Sequence, residues 1–183
     1  MLHHQHRMSQ DIDIFIDDAQ YLAFLSPRLG GEAIWNAVAY DEAAHYLKLR
    51  YPEGEIDFIV SGMITETVIR PFDVAGDIDA GIPDYRFLIE HPVEIALKKL
   101  WYRGADLKVR DVFDIAVVAE HHERLLHSNL HYTRSKKTAI LDRLNRIDPG
   151  FFMASIDELD VMPAYEALGS EALRRFHAIA AAI

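Results

Sequence analysis

Cysteine is absent from all 183 residues. That excludes a disulfide scaffold, a thiolate zinc site and a cysteine nucleophile, and it agrees with a reducing cytoplasm. Long apolar runs are missing too: none approaches the ~18 residues of a membrane span. The opening MLHHQHRMSQDID lacks the apolar stretch of a secretory leader. The expectation is a cytoplasmic protein with no membrane partner. Half of the residues are apolar and 26% are charged, so the chain is neither a disordered tail nor a low-complexity polymer. Its length suits one domain of ordinary size, or a domain with a helical appendage.

Positive charge is scarce in the first half. Residues 1–90 hold 6 Lys and Arg against 16 Asp and Glu, a net of −10, whereas residues 91–183 hold 13 of each. Within the second half, residues 98–146 carry 11 bases and 6 acids, a net of +5. Such asymmetry suits cation sites on one side and phosphate-binding groups on the other, or simply basic residues coating solvated helices. Nonspecific binding of a nucleic-acid duplex over the whole surface is disfavoured at a net charge of −10.

Local pattern predicts strands first and helices afterwards. Asp11 to Ile16 (DIDIFI) alternates polar and apolar, placing Asp11 and Asp13 on one face. Ala19 to Leu25 starts a helix that Pro27 stops. Tyr46–Tyr51 and Glu55–Val60 read as a hairpin across Pro52-Glu53-Gly54. Met63 to Phe72 is rich in Ile, Thr and Val and reads as another strand, DVAGDIDAGIPDY as a loop, and Arg86 to Ile89 as a short strand. From Pro92 a helix runs to Gly104 with Lys98 and Lys99 on its outer face, followed by helices at 109–126, 134–147 and 164–183. The predicted class is α+β, with a sheet region over 1–90 and a helical region over 91–183, forming one compact unit.

Three strand acids carry the main chemical signal. Asp11 and Asp13 are ~7 Å apart along a strand, and Asp57 sits among Ile56, Phe58 and Val60, where a charge needs a reason. Hard oxygen donors suit magnesium or manganese, and two such ions can clamp the oxygens of an in-line phosphoryl transfer. The plainer reading is a strand end with two solvated acids. Asp77-Ile78-Asp79 repeats the string between glycines and reads as a polar loop. On the helices, Lys99, Arg110, Asp111 and Asp114 form a second group, with Asp111 and Asp114 on one face. A lysine there can meet phosphate while an aspartate holds it or serves as a base; surface ion pairs are the plainer alternative.

These residues carry a resemblance. HRMSQDIDIF (6–15) resembles the R-x-S-x-D-I-D-x-F signature of AbiEii/AbiGii-type nucleotidyltransferases, the toxins of type IV toxin–antitoxin systems. GEIDFI (54–59) is similar to that family's later acid-bearing strand, and EIALKKLWYRGADLKVRDVFDIAVV (94–118) to its E-x-x-x-x-K-L and R-D-x-(Y/F)-D-L segment. The matches come in family order over residues 6–118. The resemblance implies a DNA-polymerase-beta-like nucleotidyltransferase sheet followed by a helical C-terminal half. It also implies magnesium (or manganese), a nucleoside triphosphate donor, an RNA acceptor such as transfer RNA, and an antitoxin protein partner. Carried over, Asp11, Asp13 and Asp57 are the catalytic metal ligands and Asp114 a catalytic acid, a candidate base for the attacking hydroxyl. Arg7, Ser9, Lys99, Arg110 and Asp111 bind the nucleotide. The family's Gly-Gly-(Thr/Ser) helix start upstream of the DxD has no counterpart among residues 1–10. The corresponding expectation is weak triphosphate binding and little transfer by a 183-residue form.

Two other functions compete. A metal-dependent nuclease would need E-x-K after the GEIDFI strand, but Val68 stands where Lys belongs after Glu66. A catalytically degenerate binding protein fits the lacking Gly motif, but not three acids gathered on strands, whose mutual repulsion is costly without metal. His121, His122, His127 and His131 cluster in sequence and read as a solvated helix end; His3, His4 and His6 read as part of a mobile terminus.

Overall fold

A computed structural model describes residues 3–76, 79, 81 and 83–183. The chain divides into two compact units, Ser9–Met63 and Ile64–Ile183 together with the segment ending at Met8. Asp77 and Ile78 of the repeated DID string lie outside the described residues.

The first unit is a four-stranded sheet in the order β1-β4-β3-β2. Its strands are β1 (Ile12–Ile16), β2 (Ala39–Ala43), β3 (Tyr46–Tyr51) and β4 (Gly54–Val60). β1 runs parallel to β4, and β4-β3-β2 are antiparallel. Parallel pairing needs a crossover, and the intervening chain supplies α1 (Gln20–Leu25) and α2 (Glu32–Trp35). Alternation along β3 and β4 sends Leu47, Leu49 and Phe58 to one face, where they bury against Leu22 of α1, with Ile16, Trp35 and Ile56 packed around them. Trp35 lies 5.3 Å from the Phe58 ring and donates from Nε1 to the Leu25 carbonyl at 2.8 Å, pinning α1 to the segment before β2.

Gly54 closes the β3–β4 hairpin with φ +154°, and a Cβ there would stand 2.2 Å from the Gln10 carbonyl oxygen. Gly54→Ala should therefore cost about 1–3 kcal/mol, the usual penalty of overpacking. Urea unfolding followed by Trp35 fluorescence in a Trp101→Phe background tests this, and an unchanged midpoint would show that the hairpin gives way freely.

The second unit is mainly helical. It comprises the two-stranded ribbon β5 (Arg70–Val74) and β6 (Tyr85–Ile89), then α3 (Pro92–Arg103), α4 (Val109–Asn129), α5 (Lys137–Asn145), α6 (Pro149–Asp157) and α7 (Glu166–Ala182). Pro92 opens α3 behind a His91 cap whose Nδ1 accepts from the Val93 amide at 3.2 Å. The apolar stripe Val93, Ala96, Leu97 and Leu100 packs with Val112, Phe113, Ala116 and Val117 of α4 and Phe176 of α7 into one core.

Three expectations change. The strand read over 63–72 begins only at Arg70. Ahead of it, the fully buried Glu94 carboxylate accepts from the Ile64 and Thr65 amides (2.6 and 2.9 Å) and from the Thr65 hydroxyl (2.6 Å), so these donors serve a side chain rather than a ladder. The helix read over 134–147 is a 3-10 stretch, Leu130–Lys136, that passes into α5. Lys98 is not on an outer face: it is buried, and its ammonium meets Glu90 at 2.5 Å and Glu94 at 4.0 Å. Beyond these, α6 occupies a stretch given no element above, although Asp148-Pro149 is a cap-and-proline start and the Asp148 carboxylate does accept from the Phe151 amide.

Candidate functional site

Each unit builds one charged cluster. In the sheet, register sets Asp13 of β1 opposite Asp57 of β4, Asp57 opposite Lys48 of β3, and Lys48 opposite Asp41 of β2, so one row of charge crosses all four strands. The row beside it pairs Glu55 with Arg50, and the Asp11 carboxylate accepts from the Glu55 amide at 3.3 Å. Neighbouring strands lie ~4.8 Å apart, which places Asp13 and Asp57 side by side. This face is acidic where the opposite face is the apolar core.

Lys48 was not singled out by sequence. Its ammonium reaches Asp57 Oδ2 at 2.8 Å and Glu55 at 2.6 Å. Partial burial lowers its pKa, but the two carboxylates outweigh that and raise it above the ordinary lysine value. Asp57 Oδ1 remains buried with no hydrogen-bond partner. An orphaned carboxylate oxygen beside a second carboxylate is chemistry that suits a hard divalent cation, and Asp13 and Asp57 supply it. Among the described residues no three His, Asp or Glu side chains already surround a common point.

In the helical unit Asp114 of α4 is the hub. Its Oδ1 accepts from His6 Nε2 and Arg7 Nε, both at 2.8 Å, and its Oδ2 from Arg7 at 3.0 Å and Lys99 at 2.5 Å. Asp111, one turn earlier and fully buried, accepts from Lys99 (3.0 Å), Arg103 (3.1 Å) and the Lys108 amide (3.1 Å), the last closing the start of α4. Burial alone would push both carboxyls up. For Asp114 the Lys99 charge and the bonds from His6 and Arg7 prevail and hold it well below the usual range; for Asp111 the charges of Lys99 and Arg103 prevail and lower it. Arg7 and its neighbours reach this hub because Arg7 bridges to Val161, the Met8 amide donates to the Asp160 carbonyl and the Met162 amide to the His6 carbonyl.

Of the residues named from sequence, Asp11, Asp13 and Asp57 thus share one sheet face, and Arg7, Lys99, Asp111 and Asp114 share one ion network. Arg110 is half-buried at the start of α4 and Ser9 is exposed. His6 and Arg103 were missed. The i,i+4 spacing of Lys99 and Arg103 was the only signal for Arg103; for His6 there was none, because its contact spans 108 residues.

Comparison with known families identifies the class. The AbiEii family model, described as a nucleotidyl transferase AbiEii toxin of type IV toxin–antitoxin systems, matches residues 1–158. The chain belongs to that family, and its α+β architecture agrees with it. Neither the characterised proteins nor the solved structures compared with it contain a match. No helix among the described residues is long and apolar enough to cross a membrane.

Proposed function

We propose that the protein transfers a nucleotide from a nucleoside triphosphate to a hydroxyl of an RNA acceptor, transfer RNA being one such acceptor, and that it does so with magnesium or manganese held by Asp11, Asp13 and Asp57. The observation that carries this reading is the pairing of Asp13 with Asp57 across β1 and β4 while Asp57 Oδ1 stays buried and unpartnered. A divalent ion bound there supplies charge neutralisation for the phosphates and polarises the attacking oxygen. Lys99 contacts phosphate, and the carboxylates of Asp111 and Asp114 hold its ammonium in one place. Arg7 is aimed in the same way by Asp114 through two parallel bonds. Ser9 and Arg110 add phosphate contacts.

Asp114 acts by holding. Four donors occupy its two oxygens and keep its proton affinity low, which makes it a poor base for a hydroxyl. A separate antitoxin protein is the partner this reading implies.

The test is incorporation of labelled nucleotide into bulk RNA, with each of the four triphosphates and added magnesium. Asp13→Asn should abolish transfer. Little transfer is expected without the Gly-rich helix start, so the metal-dependent reading is removed if wild type and Asp13→Asn give equal transfer clearly above a protein-free control. Glu66 and Val68 fall outside every strand, which supports transfer over the nuclease alternative, and RNA shortening in the same assay would reverse that choice.

A further inference from the structure

Six of the ten histidines meet in the helical unit, and three of them arrive on segment 3–8. The His4 ring stacks on His121 with centroids 4.4 Å apart and planes 10° apart, and lies 5.3 Å from His122. His122 in turn lies 4.8 Å from His91, the cap of α3. His3 donates to the Glu90 carbonyl at 2.8 Å, and His121 is hydrogen-bonded to the Tyr165 hydroxyl at 3.0 Å. His4 Nε2 is buried with no partner. The α4 backbone itself breaks at this point, with His122 at φ −136°, ψ 31° inside the helix.

Burial makes a charge on His4 or His122 costly, and two charged imidazoles in one stack repel. The groups acting on His4 are the imidazoles of His121, His122, His6 and His3; those acting on His91 are His122, His3 and the Arg70 guanidinium. Beyond His6 lie Arg7, Lys99 and Asp114, whose carboxylate is already saturated. A proton placed on His4 therefore sits on a buried Nε2 without an acceptor, and a second proton on a neighbouring imidazole meets it as like charge.

We propose that segment 3–8 is an acid-released strap, in which protonation of His4, stacked on His121, and of the neighbouring His122 expels the segment and takes His6 and Arg7 off Asp114. Release follows from the cluster alone. Its consequence, disarming of the Arg7–Asp114–Lys99 arrangement, rests on the reading of that network as a nucleotide site.

The sign follows from linkage. Burial, then the neighbouring imidazoles, lowers His4 to about 4 from an ordinary 6.5. Between those values the released strap binds a proton that the docked strap does not. Docking thus weakens about tenfold per pH unit below 6.5, or roughly 300-fold over the whole interval from His4 alone. Burial lowers His91 and His122 as well, so they act in the same direction. Docking has its full strength above pH 6.5 and weakens as pH falls through the interval.

Hydrogen exchange on the whole chain, without metal or nucleotide, reads this directly. The reporters are the Met8 and Met162 amides, bonded to the Asp160 and His6 carbonyls, and the Arg7 Nε proton bonded to Asp114. After correction for intrinsic rates, protection of all three should fall about 30-fold between pH 6.5 and 5, while the Val117 amide in the α4 core keeps its protection. His4→Phe retains a ring against His121 and should flatten the dependence, as should His122→Gln. Loss at Val117 in parallel with the reporters, or an unchanged slope in either folded variant, would overturn the strap. Because no catalysis is measured, failure of the transfer reading leaves this outcome untouched.

Discussion

Asp114→Ala should lower the stability of the helical unit by about 3–5 kcal/mol, the range for removing one partner of a buried ion pair. The carboxylate is nearly inaccessible, as are the His6 and Arg7 side chains that converge on it. Deleting it strands the guanidinium and the imidazole away from water, while Lys99 still has Asp111. Such a loss is a large part of the 5–15 kcal/mol that ordinary domains possess. Trp101 lies in this unit and Trp35 in the other, so urea unfolding in a Trp35→Phe background isolates the effect. Asp114→Asn keeps an acceptor oxygen and should lose less. A loss below about 1 kcal/mol for Asp114→Ala would show that the network behaves like exposed surface pairs. Acid tells the same story with a definite sign. The folded carboxyl titrates well below the ordinary 3.8, so the part of its contribution that does not depend on the docked strap, its pairing with Lys99, is present above that value and is lost as pH falls towards the folded value. The wild type should therefore destabilise steeply below pH ~3.8, and Asp114→Asn should do so less.

The other large effect is on metal binding. Asp13→Asn and Asp57→Asn should each weaken manganese binding by more than about a hundredfold, the upper figure for losing a mere outer partner of a metal ligand. Each change removes one negative charge and replaces one of the four carboxylate oxygens of the two-strand pair with an amide nitrogen. Asp13→Asn should leave the folded sheet indifferent, since Asp13 lies on the face away from the apolar cluster, whereas Asp57→Asn also gives up the ion pair with Lys48, which keeps Glu55. Manganese titration by electron paramagnetic resonance gives the affinities, and thermal melts check the fold. Equal affinity in all three proteins would place any metal elsewhere. An altered melting temperature with unaltered affinity would make the row a structural ion ladder with Lys48.

Legibility differed from element to element for physical reasons. DIDIFI, YLKLRY and EIDFIV announced strands because period-two alternation depends only on neighbours in sequence, and Pro92 and Gly104 bounded α3 for the same reason. The stretch 63–69 misled because β-branched residues report a preference for extended backbone, whereas its amides were claimed by Glu94 about 30 residues away. Lys98 misled because helical periodicity cannot anticipate that Glu90, before the helix, would turn to meet it.

Sequence by itself determined the α+β class, the alternation that puts Asp11 and Asp13 on one face, and the family, whose model matches residues 1–158. These are local or ordered properties, carried by spacing. Tertiary structure alone decided that Asp57 pairs with both Asp13 and Lys48, that four donors from two separate segments saturate Asp114, and that His4 packs against a broken turn of α4. Each of these is a contact between residues remote in sequence. Its existence depends on which strand lies beside which, and on where a buried charge finds its partner, quantities that no local period encodes.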